Sequence, residues 1–111
     1  EIFLGVGVAL ICRFDLVDAE MLLLHVSPQM YVENLLARLR AQPGLQGCDA
    51  GVWLRDNNTT LQVVVGVKRE RVLVSGLLDG IRRALRYDIS GLVRSWKLQR
   101  APLRLFAPYQ V

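Results

Sequence analysis

Residues 21–54, MLLLHVSPQMYVENLLARLRAQPGLQGCDAGVWL, constrain the fold more than any other stretch, because they hold a helix with both ends marked and an apolar run on either side. Ser27-Pro28 is a helix start. The Ser hydroxyl can accept a bond from an orphan backbone N–H, and Pro at the first helical position gives up an N–H that has no partner there. Val32, Leu35, Leu36 and Leu39 recur at helical spacing and make one apolar stripe. Arg38 and Arg40 fall in the last turn, where positive charge suits the helix dipole, and Pro43-Gly44 ends it. An apolar stripe needs a surface to lie on, and the flanking runs 21–26 and 52–54 supply it. Residues 52–54 begin a strand, and 21–26 read as a strand or as the last turns of a helix. The unit is a helix packed on a sheet.

The remainder repeats that unit. Asp56-Asn57-Asn58 turns the chain, since Asn and Asp bond their own backbone and tolerate left-handed geometry. Residues 59–67 alternate, with Leu61, Val63, Val65 and Val67 on one face and Thr60, Gln62 and Val64 on the other, which makes a hairpin. Val74, Leu77, Leu78, Ile81 and Leu85 mark a second helix, with Arg82, Arg83 and Arg86 off the stripe. Residues 92–106 read as a last strand, Trp96 and Leu98 sharing a face with Arg94 and Arg100, until Pro102, which a strand tolerates only at an edge or an end. Strand, helix, strand, strand, helix, strand is the ferredoxin-like βαββαβ pattern of an α+β fold, an antiparallel sheet with two helices on one face. The pattern occupies residues 21–106, behind an N-terminal apolar segment, 1–20, and ahead of a tail, 107–111. Residues 2–11, IFLGVGVALI, are too short to cross a bilayer, which takes about 20 residues. They are an extra strand, or the end of a membrane helix that begins upstream.

Composition narrows the function classes. A chain of 111 residues makes one domain with one core. An apolar share of 52% with a mean hydropathy of +0.29 excludes disorder and leaves apolar surface for a partner or a membrane. The net charge is +4, and the basic residues, nearly all Arg, crowd the second half. Arg82, Arg83, Arg86 and Arg100 form a basic face, either plainly solvated or suited to nucleic acid, anionic lipid or an acidic partner. The ferredoxin-like fold binds RNA through sheet aromatics, but residues 61–67 have none, which counts against nucleic acid. Cys12 and Cys48 fit no metal or redox spacing, leaving a disulfide or two reduced thiols open. His25 is the only histidine, and nothing marks a Ser or Cys as its catalytic partner, so the chain reads as no enzyme. A small-molecule sensor of this fold would hold its ligand between helix and sheet, with no residue singled out for it.

Asp18, Leu22-Leu23-Leu24, Ser27-Pro28, Pro43-Gly44-Leu45 and Gly51-Val52-Trp53 occur in an order that resembles the cation diffusion facilitator family of zinc transporters. The similar region is the junction of the last membrane helix with the C-terminal cytosolic domain. Residues 60–67, 74–85 and 92–98 then look like the remaining strand, helix and strand. Where the family's triplet has His before its aromatic pair, this chain has Gly51 before Val52-Trp53. The resemblance implies a non-enzymatic regulatory or dimerisation domain on the cytosolic side of a membrane, homodimeric, with zinc as the associated metal. It implies His25 and Asp49 as metal candidates and Trp53, Trp96 and Val64 as dimer or partner contacts. The alternative is a ferredoxin-like assembly subunit that binds protein or RNA through its Arg-rich face.

Overall fold

The computed structural model describes residues 7–17, 24–67, 74–89 and 93–102. Alternation sets the first strand, β1 (Val8–Leu16): Leu10, Cys12, Phe14 and Leu16 are buried, while Arg13 and Asp15 between them are exposed. This differs from the expected first strand at 21–26. Residues 24–26 form a bend, and 21–23 lie outside the described residues. The ferredoxin-like unit thus begins inside the segment assigned to its front, and residues 8–11 are its first strand rather than an addition. The alternation shows only from Cys12 onward, because the residues before it are apolar on both faces.

The helix α1 (Pro28–Ala41) starts as its sequence predicts, with Met30 N–H donating to Ser27 Oγ at 3.1 Å. Tyr31, Leu35 and Leu39 are its buried residues, and Val32 and Leu36 flank them half-buried. Gln42 N–H donates to the Leu39 carbonyl, and a 3-10 turn, Pro43–Leu45, drops Leu45 into the core. Strands β2 (Asp49–Arg55) and β3 (Thr60–Val67) form the expected hairpin. Asp56, Asn57 and Asn58 all take left-handed φ, between 54° and 66°. Thr59 closes the turn, its N–H donating to Arg55 O at 3.0 Å and its hydroxyl to Asp56 O at 2.7 Å.

The second helix, α2 (Val74–Ile89), buries Leu77, Ile81, Ala84 and Leu85, and β4 (Val93–Pro102) ends on the proline. The four strands lie in the order β2-β3-β1-β4, each neighbouring pair antiparallel. Both helices pack on one face, where Leu35, Leu39, Leu77 and Ile81 join Leu10, Cys12, Leu61, Val63 and Val65 in one cluster. This is the ferredoxin-like βαββαβ fold. Each buried leucine or isoleucine contributes roughly 2 kcal/mol of transfer free energy.

The helices cover the sheet unevenly. α1 lies along β2, whereas α2 meets β4 at Trp96 and the rest of β4 is largely exposed. α2 fits closely against the 3-10 turn: a Cβ on Gly80 would stand 2.9 Å from Leu45 Cγ, so any larger residue would push α2 away. No helix among the described residues is long and apolar enough to cross a membrane. From Val8 onward, the stretch that the transporter resemblance makes the end of a membrane helix is strand.

Candidate functional site

Strand register sorts the expected contact residues by face. Trp53, Gln62, Arg13 and Lys97 stand in one row across the face that carries no helix, and Gly51, Val64, Ile11 and Gln99 form the next row. Ala9, Ile11 and Val64 are buried there, with Trp53 and Ala101 packed against them. Gly51 makes room for Trp53: a Cβ at Gly51 would meet the indole at 2.3 Å. Gly51 thus lets the tryptophan two residues on lie over it. Arg55 adds its guanidinium 5.7 Å from the Trp53 ring. Val64 is fully buried on the inner strand β3, so it offers no surface to a partner as placed.

Trp96 lies on the other face. It pairs with Phe14, whose side chain is in the helix-side core, and their rings stack at 6.1 Å between centroids. Trp53 and Trp96 therefore do not form one contact surface: they occupy opposite faces and opposite edge strands. Around Trp96 the structure builds a small cleft of about 80 Å³ between α2 and β4, lined by Cys12, Phe14, Leu78, Ile81, Arg82 and Trp96. Arg82 stands at its mouth with its guanidinium 5.8 Å from the Trp96 ring centre and one nitrogen 3.9 Å from Asp79. On the floor, burial pushes the Cys12 thiol up to about 11, and the nearby Arg82 charge opposes that shift. Cys48, half-buried, is also shifted upward, first by burial and then by the adjacent Asp49 carboxylate. Both cysteines are free thiols.

Trp96 was legible in the sequence as a strand aromatic, but Cys12, Phe14, Leu78 and Ile81 were not legible as a cleft. The alternation of residues 12–16 could have placed Cys12 and Phe14 under a helix, although nothing local reveals which helix stops short of them.

The expected metal candidates are not brought together. His25 is exposed in the bend before α1, and Asp49 is exposed at the start of β2, beyond the far end of that helix. A helix of 14 residues, about 21 Å long, separates them. Among the described residues no group of three or more His, Cys, Asp or Glu could hold a metal ion. Cys12 and Asp15 do not meet either: Cys12 faces the helices, and Asp15 is on the helix-free face, accepting from Ser95 Oγ at 2.9 Å. The basic residues divide as well. Arg82 and Arg83 are exposed on α2, Arg100 is exposed on β4 in register with Leu10, and the side chain of Arg86 lies outside those described.

No protein-family model and no curated protein matches this chain. Solved structures do. A protein of unknown function from Nitrosomonas europaea, NE2512, superposes with a TM-score of 0.55 at 18% identity, over 90% of this chain and 91% of its own. PA3566 from Pseudomonas aeruginosa gives a TM-score of 0.53 at 15% identity, over 89% and 95%. A dimeric ferredoxin-like protein of unknown function from Thermobifida fusca gives 0.52 at 24% identity, over 89% and 92%. At these identities the likeness is one of fold.

Proposed function

We propose that this chain is a non-enzymatic association domain that pairs with a second copy of itself through the faces of β4. One observation carries the reading: β4 is a ten-residue edge strand exposed along most of its length, with Trp96 44% and Leu98 36% exposed. Large apolar side chains gathered on one exposed strand mark a contact surface rather than chance. Edge-to-edge addition suits it poorly. Arg94, Lys97 and Arg100 stud the strand, and two copies of it paired antiparallel about Lys97 would set like charges opposite one another. Contact through the strand's faces, with two-fold symmetry, avoids that opposition. The dimeric description of the Thermobifida fusca protein supports the same reading. Its non-enzymatic part is supported by the Cys12 thiol, held protonated by burial and hence a poor nucleophile.

Sedimentation equilibrium tests it. The chain is expected to be a dimer, and the double variant Trp96→Ser, Leu98→Ser a folded monomer. A monomeric parent protein at high micromolar concentration would overturn the reading. Two additions separate the rivals in the same cells: a mass or melting temperature that responds to zinc would favour the cation-transporter resemblance, and binding to RNA that salt abolishes would favour the Arg-rich face.

A further inference from the structure

We propose that the cleft between α2 and β4 binds a small carboxylate with an apolar body, the body seated over Cys12 and Phe14 and the carboxylate on Arg82. Every described lining residue comes from one copy, but Trp96 also stands in the contact proposed for β4, so ligand and second copy compete for it. The titration that tests the site is made at a concentration where the chain is monomeric.

Three observations point to this chemistry. The cleft is apolar inside, with Leu78, Ile81, Phe14 and Trp96 as its walls and a protonated thiol beneath, so it suits a hydrocarbon or a ring. Its size, about 80 Å³, is small beside ordinary ligand pockets of roughly 300 Å³ or more, so it seats a short branched chain or part of one ring, with the remainder at the mouth. Among the described residues, the charged group on the lining is Arg82, a planar fork of donors that matches a carboxylate in two-point geometry. Arg82 is held over the cleft by the Trp96 ring. Among the described residues its carboxylate partner is Asp79, on the same helix, at 3.9 Å and exposed. That distance is too long for a hydrogen bond, so an incoming carboxylate gains both donors of the fork without breaking a tight pair. Apolar walls under a single cation make a site for an amphipathic anion. A free sulfate would leave the walls unused, and a plain hydrocarbon would leave the guanidinium unused.

Benzoate is the probe, titrated against the full chain with Trp96 fluorescence as the readout in a Trp53→Phe background. A saturable change is expected. Arg82→Gln, an exposed substitution that leaves the core untouched, should weaken benzoate about tenfold or more, the usual worth of a charge-assisted pair. Binding of neutral benzyl alcohol should be nearly the same in both proteins. Leu78→Phe, which fills the mouth, should weaken both probes. No saturable response to benzoate, or equal affinity for benzoate in the parent and in Arg82→Gln, would overturn the proposal.

Discussion

The two edge strands of the sheet have opposite fates. β2 is seven residues long, lies along α1, sends Val52 and Leu54 into the core and has its own Trp53 laid over Gly51. β4 is three residues longer, is exposed along most of its length and leaves its tryptophan part-exposed beside α2. Among the described residues, one edge is finished and the other is not. Two helices could in principle cover four strands. Here Gly80 lets α2 sit close against Leu45, while β4 stays largely exposed beside the cleft.

The sharpest way to break the comparison is to remove equal side chains from the two sides. Leu35→Ala, in the α1 layer, should cost about 3 kcal/mol in urea unfolding, whereas Leu98→Ala on β4 should cost about 0.5 kcal/mol or less in the monomer. Equal losses would mean that β4 is covered after all. Gly80→Val should cost about 2 kcal/mol by forcing α2 off Leu45, and its displacement toward β4 should alter Trp96 fluorescence.

The cleft floor supplies a pH test. Cys12 is raised from an ordinary value of 9.0 to about 11, so the folded state holds the thiol proton more tightly than the unfolded one. That contribution is fully present below pH 9 and is lost as pH rises through about 11, amounting to roughly 2 kcal/mol. The loss between those values should be smaller in Cys12→Ala, measured by urea unfolding at each pH. A disulfide reagent at pH 8 should label Cys48 first, since Cys12 is fully buried. The smallest effect belongs to the finished side: Ser27→Ala, which removes the hydroxyl that caps α1, should cost about 1 kcal/mol by thermal melting.

Local signals in this chain were legible and distant ones were not. Ser27-Pro28, the stop at Pro43-Gly44, the Asp56-Asn57-Asn58 turn and the alternation of β3 each depend on neighbours within a few residues, and each is where the sequence puts it. The first strand was misread because residues 8–11 are apolar on both faces: their helix-free side is buried in the small cluster with Val64, so no polar residue interrupts the run. Trp53 and Trp96 stand on opposite faces for a related reason. Residues in two separate strands share a face only if the register says so, and the register here is set by β1, which lies between them in the sheet. The cleft depends on where a helix stops in the lateral direction, which no periodicity encodes.

The place of β1 also governs the order of assembly. It is the first strand made, yet its neighbours are the third and the last, and the Asp15–Ser95 hydrogen bond joins residues 80 apart in the chain. On the ribosome β1 must therefore wait for β3 to cover one of its edges and for β4 to cover the other. The hairpin of β2 and β3, closed by its own turn, can form meanwhile and receive β1 on one side. Folding of this domain is thus dominated by long-range pairing and slow for a domain of its length.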